Sequence, residues 1–181
     1  MKNPSPLCAL CLSCACLSAG EDAGGSFVEA FAGSATRVVL ADGSDAPAAL
    51  ALERRADGVF QRWMLVNRTD RALRVREIVL ADAAHGLPTE TGFYGEGCQM
   101  LSQTAGTLGR MVDLDHYTDR GHYRLPEPEG YRTVYGLVTL SPPGGGHVMA
   151  AFTSCRRFAG KFNVNAARLQ GSAIPFVQPR I

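Results

Sequence analysis

The chain lacks most of the features that would fix its class at once. No run of apolar residues reaches the ~20 needed to cross a bilayer as a helix, so no membrane partner is expected. An excess of either charge is missing too: 18 Lys and Arg stand against 17 Asp and Glu, a formal net charge of +1. That balance gives no global pull on nucleic acid, and none is expected as a partner. Heptads and internal repeats are absent, which sets aside coiled coils and solenoids. Ser102 and Ser154 have no G-x-S-x-G frame, so neither reads as a nucleophile at an elbow. Gly95 to Gly97 and Gly144 to Gly146 open no strand–loop–helix unit and do not read as phosphate cradles.

What is present points to a folded β protein. A length of 181 residues supports one domain with room for a real core. Twenty Gly and ten Pro lie among short Val, Leu and Tyr segments, a pattern of many turns. The expectation is an all-β antiparallel sandwich, supersandwich-like and incomplete, over residues 27–164. Residues 1–26 are expected outside it as a leader or disordered Cys-rich segment, and residues 165–181 as an irregular tail.

The six cysteines are unevenly placed. Cys8, Cys11, Cys14 and Cys16 crowd the start, with a C-x2-C-x2-C rhythm in the first three. The fourth ligand and following Pro of an iron–sulfur motif are missing, as is a second zinc-type pair. The segment also reads as a signal peptide: Lys2, an apolar stretch from Leu7 to Leu17, then Ser18, Ala19 and Gly20. A mis-set gene start is the rival, so cytoplasmic and exported locations both stay open. Cys98 and Cys155 read as buried free thiols, or as a pair if the chain is exported.

Along the chain, Phe27 to Leu40 has β character and ends at the turn pair Asp42-Gly43. Ala46 to Leu52 fits a strand or a short helical turn. Val59 to Val66 and Leu73 to Leu80 read as a hairpin across Asn67-Arg68-Thr69-Asp70. Tyr131 to Leu140 and His147 to Thr153 read as a second hairpin across Ser141 to Gly146, with Val134 and Phe152 buried. Phe158, Phe162 and Val164 suggest one more strand. Trp63, among Met64, Leu65 and Val66, reads as a core residue ahead of a sugar platform. Asn67-Arg68-Thr69 matches a glycosylation sequon that its turn composition already explains.

Gly92 to Arg124 (GFYGEGCQMLSQTAGTLGRMVDLDHYTDRGHYR) is the segment richest in chemistry. It gathers Glu96, Asp113, Asp115, Asp119, His116, His122, Arg120 and Arg124 with the phenols of Tyr94, Tyr117 and Tyr123. Long loops with aromatics among hydrogen-bonding groups usually bind something. Sugars suit them, since hydroxyls pair with carboxylates, Arg and His while C–H faces lie on rings. Tyr117, Asp119, His122 and Tyr123 form the candidate substrate-binding group, and Gly121 could bring the two His-Tyr pairs together. The same segment could instead merely cover an open end of the sandwich. The carboxylates here have no recognisable acid/base frame, and Asp119 reads as a partner of Arg120. His116 and His122 with Asp115 or Asp119 could ligate a metal, although two loop histidines bonded to backbone or Tyr fit as well. No catalytic residue, metal ligand or cofactor is assigned. Arg156 and Arg157 read as an anion contact or an exposed strand end.

YGEGCQMLSQTAGTLG, DLDHYTDRGHYRLPEPEGYRTVYGLVTLSPPGG and AFTSCRRFAGKF together resemble the N-terminal β-domain of bacterial α-galactosidase and raffinose-synthase proteins (glycoside hydrolase family 36). The resemblance covers about Val59 to Val164. It implies a large β-sandwich that precedes a catalytic (β/α)8 barrel, with both catalytic Asp residues in the barrel. The expectation is therefore a non-catalytic domain or fragment, inactive alone, since a barrel needs ~200 residues by itself. Its expected partners are carbohydrate and the missing barrel, and a homo-oligomer stays open. The alternatives are a free-standing carbohydrate-binding module and a metal-dependent binding protein.

Overall fold

A computed structural model describes residues 10–19, 23–57, 60–98, 102–155 and 157–175. The readings for residues 1–9, Arg156 and 176–181 lie outside them. The fold is all-β and sandwich-like, with antiparallel strands in one twelve-stranded sheet and a single helix among the described residues.

The elements run β1 (Leu10–Ala19), α1 (Ala23–Gly33), β2 (Arg37–Leu40), β3 (Leu50–Asp57), β4 (Phe60–Asn67) and β5 (Val75–Ala84). Then come β6 (Gly92–Glu96), β7 (Gln103–Thr107), β8 (Arg110–Asp113), β9 (Arg132–Ser141), β10 (His147–Phe152), β11 (Phe158–Val164) and β12 (Arg168–Pro175). The main path is β2-β5-β12-β11-β9-β10-β1-β4-β3, with β6, β7 and β8 leading off β9.

The sheet forks at β9. Strand β11 pairs with Arg132 to Tyr135, and β10 pairs with Leu137 to Leu140. Tyr135 faces Lys161 on one edge and Glu96 on the other, and Leu140 faces Val148 and Phe93. Strands β10 and β11 therefore share one edge of β9, and β6 holds the other. Between the two shares sits Gly136 at φ 72°, a conformation that costs glycine little and other residues more. One branch continues through β1, β4 and β3, the other through β12, β5 and β2. Trp63 and Val148 from the first join Phe162, Leu169 and Ile78 from the second in one buried cluster, so the branches face each other. In the crotch of the fork the Phe152 ring of β10 lies 5.8 Å from Phe158 and 5.1 Å from Phe162 of β11. It occupies the space that a side chain on Gly160 would need.

Several expectations change. The hairpin of Tyr131–Leu140 with His147–Thr153 forms, and Val134 is buried, but Phe152 is only half-buried. The expected pairing of Val59–Val66 with Leu73–Leu80 does not occur: β4 pairs with β1 and β3, and β5 with β2 and β12. The turn is real. Asn67 Oδ1 accepts from the Thr69 amide at 3.0 Å, and Asn67 Nδ2 donates to the Arg71 carbonyl at 2.8 Å. It sends the chain from one branch to the other instead of back along the same strand. Phe27 and Phe31 belong to a helix, not a strand. Their four-residue spacing puts both rings on one face, 5.6 Å apart, and both are buried. The helix ends where Ser34 Oγ donates to the Phe31 carbonyl at 2.8 Å and accepts from the Asp82 amide at 2.9 Å.

Both ends expected outside the sandwich contribute strands. Leu10–Ala19 lies between β4 and β10, with Leu12 opposite Trp63 and Cys14 opposite Phe152. An apolar run rich in small residues suits a leader, but it equally suits a strand with neighbours on both edges. Arg168–Pro175 lies between β11 and β5 with Leu169 and Ala173 fully buried. Its Gly171 reads as loop in sequence, yet a Cβ there would come within 3.1 Å of Phe31 Cζ. Its smallness is a packing requirement. The far face of this branch carries a polar ladder: Thr133 Oγ1 donates to Asn163, Asn163 to Gln170, and Gln170 with Arg168 to Asp82. Beside it Lys161 meets Glu77 at 3.0 Å.

Two measurements check this architecture. A chain starting at Ser26 should lose cooperative melting, because β10 and β4 would be left with open edges; an unchanged melting curve would remove β1 from the sheet. Gly160→Ala should cost about 1–3 kcal/mol by overpacking, and Phe152→Ala about 3 kcal/mol. In the double variant the costs should fall clearly short of their sum, since the substituted atoms compete for one space.

Candidate functional site

The segment from Gly92 to Arg124 is not one long loop. Its first part is a three-stranded meander, β6-β7-β8, hinged on β9. Alternation puts Phe93 inside and Tyr94 outside, and Tyr94 stands in register with Ala105 and Val112. The Tyr94 phenol donates to Glu96, which raises its pKa above the ordinary range; burial and the Glu96 charge add to this. The polar stretch proper runs from Leu114 to Tyr131.

The base of that stretch is held by an ion-pair network. Arg132 reaches Asp113 at 3.3 Å and Glu127 at 3.7 Å, and Thr104 Oγ1 donates to Asp113 at 3.0 Å. Glu127, between two prolines, accepts from the Thr133 amide at 3.0 Å and faces Arg120 at 3.8 Å. None of these links was visible in sequence, because the partners sit on separate elements with no fixed spacing.

Asp119 organises the loop itself. Its carbonyl accepts from the Tyr123 amide at 3.2 Å and the Leu125 amide at 3.1 Å, while the His122 backbone amide donates to the Thr118 carbonyl at 2.8 Å. Thr118 Oγ1 accepts from the Gly121 amide at 2.9 Å, closing the turn. The turn ends at Arg124, whose φ of 54° makes it the one non-glycine residue in the left-handed region among the described residues. The Asp119 side chain points the other way. Its Oδ2 accepts from the Cys98 amide at 2.9 Å, and its Oδ1 is buried without a hydrogen-bond partner. Arg120 turns to Glu127, so the expected Asp119–Arg120 pair is not made. Burial raises the Asp119 pKa, with Asp113 and Glu127 adding to the effect against the pull of the Cys98 amide. Tyr135 is pushed up in the same way, first by burial, then by Cys98, Asp119 and Glu127.

This turn brings the two His-Tyr pairs together. His116 and Tyr117 lie 4.7 Å apart, Tyr117 and His122 5.3 Å, and His122 and Tyr123 4.7 Å, the last two contacts edge-on. Tyr117, half exposed at 50%, offers a large open ring surface. Of the four candidate residues, Tyr117, His122 and Tyr123 thus share one ring run, and Asp119 serves the loop beneath them. Tyr94 makes no ring contact with this run among the described residues. His116 Nδ1 pairs with Asp115 at 3.1 Å. No three His, Cys, Asp or Glu groups converge as metal ligands among the described residues; each histidine of this run packs against a tyrosine ring. Trp63 is buried in the core at 1% exposure. Cys98 and Cys155 are exposed free thiols, not buried ones. Desolvation of the thiol and then the Asp119 charge raise the Cys98 pKa, which lowers its thiolate share.

No protein-family model, curated protein or solved structure matches the chain.

Arg124 gives a direct test of the loop geometry. Replacing it with Gly should stabilise the protein by up to about 1 kcal/mol, because an L side chain is strained at that φ. A lower melting temperature in Arg124→Gly would mean that its side chain contributes more than its backbone costs.

Proposed function

We propose that the chain is a carbohydrate-contacting β-domain, with Tyr117, His122 and Tyr123 forming the surface that meets the sugar. The ring run carries this reading. Edge-on packing against His122 restrains Tyr117 while leaving much of its ring open, so little side-chain entropy remains to be lost on binding. Hydroxyl partners stand close by in sequence: Asp115, Arg120 and Arg124 are all on the same loop. The resemblance to the β-domain of α-galactosidase-type hydrolases supports the same ligand class. In that group the barrel does the chemistry, and the reading here is a domain whose loops shape the edge of a barrel's sugar site.

Titration calorimetry with galactose and an α-galactoside tests the binding surface. Saturable binding is expected, weakened about tenfold in Tyr117→Ala, which corresponds to roughly 1.4 kcal/mol. The melting temperature should fall only slightly, since Tyr117 is half exposed. Unchanged affinity with a lowered melting temperature would make the ring run structural. The chain alone should release no nitrophenol from a synthetic α-galactoside; turnover abolished by Asp119→Asn would overturn the non-catalytic reading.

A further inference from the structure

The carboxyl of Asp119 is the one side-chain tie described between the ring-bearing loop and the turn that follows β6. It accepts from the Cys98 amide at 2.9 Å through Oδ2. Gly97 lies so close that a Cβ there would come within 3.2 Å of the same oxygen. The other oxygen, Oδ1, is buried and meets no donor. An ionised carboxylate would leave lone pairs unmet there, and such burial is costly.

The charges around it do not help. Asp113 on β8 and Glu127 in the loop face it as further acids, Cys98 and Tyr135 as neutral groups with raised pKa values. Two arginines of this network are engaged elsewhere: Arg132 with Asp113 and Glu127, Arg120 with Glu127. Among the described residues, Asp119 thus sits beside acids with one amide donor to its side chain and no ion-pair partner. A protonated carboxyl is a weaker acceptor for the Cys98 amide than a carboxylate, but it removes the buried charge, and burial outweighs that bond.

We propose that Asp119 is a proton-operated latch, which fastens the ring-bearing loop to the Cys98 turn when protonated and loosens it when ionised. Burial raises its pKa in the folded state, and the sign follows from that. A carboxyl whose folded pKa exceeds its unfolded value stabilises fully below the unfolded pKa, and this contribution is lost as pH rises through the folded one. The ring run would therefore be held most firmly below the ordinary aspartate value of about 3.9 and more loosely as pH rises through the raised folded one. The latch rests on the loop geometry; only its bearing on sugar contact rests on the reading above.

The test needs no sugar. The Cys98 amide of the full chain is followed by NMR from about pH 3.5 to about pH 7.5, across and above the ordinary aspartate value of about 3.9. Its shift should titrate with a midpoint above that value. Over the same range the exchange protection of the Cys98, Tyr123 and Leu125 amides, corrected for intrinsic rate, should fall by up to about tenfold per pH unit above the midpoint. Asp119→Asn keeps an acceptor for Cys98 and removes the charge, so the transition should vanish and protection should stay high throughout. Asp119→Ala should lack Cys98 protection at every pH. A Cys98 midpoint at or below the ordinary aspartate value would overturn the latch, and so would the same transition persisting in Asp119→Asn. The wild-type titration decides the matter even if a variant folds poorly. Failure to bind sugar leaves all these readouts untouched, so the two readings fail separately.

Discussion

Strand β9 has two edges and three partners. It gives one edge to β6 and divides the other between β11 and β10, with the left-handed Gly136 between the two shares. A strand that pairs in two directions must let its neighbours diverge, and the diverging branches are what enclose the core. Their separation is set in the crotch by the Phe152 ring against Phe158 and Phe162, over Gly160. Trp63 from one branch and Leu169 and Phe162 from the other belong to the core between them.

The same strand positions the candidate site. Arg132 and Thr133 at the start of β9 hold Glu127, and Arg132 also holds Asp113 at the end of β8. The polar stretch is therefore anchored at both ends to β9 or its neighbours. Between the anchors the Asp119 turn packs His116, Tyr117, His122 and Tyr123 ring against ring, tilted or edge-on. Rigid strands below and a short hydrogen-bonded turn above are a favourable base for a binding surface, since little order remains to be imposed by a ligand.

Much of this was legible in the sequence, in a graded way. Alternating Val and Tyr around a Pro-Gly loop specified the β9–β10 hairpin, because that signal is local. The partners of β4 and β5 were not legible: both strands were recognisable, but the turn between them changes branch, and no local feature separates that from a hairpin. Residues 10–19 and 168–175 failed for another reason. Their Cys, Ala, Gly and Ser content resembles a leader and a loop, and the large rings that require small neighbours lie far off in sequence. In the site, Gly121 did signal that the His-Tyr pairs could meet, as they do. The partner of Asp119 was not legible, since its neighbour Arg120 offered an obvious one and the Cys98 amide, 21 residues away, did not.

The outer edge of β3 has one further consequence. Strand β3 closes one end of the sheet, and its second half, Glu53, Arg54, Arg55, Ala56 and Asp57, is exposed. Arg54 is drawn off to the Ala32 carbonyl at the end of α1, Glu53 to Arg68, and Asp57 to Arg62 at 2.7 Å. A second strand laid along that edge would have to strip water from these charges or break their pairs, with no apolar face to compensate. With a net charge of only +1, the molecule has little overall repulsion to keep copies apart. Resistance to cross-β stacking and fibril growth on that side is a local property, written into five residues of one strand.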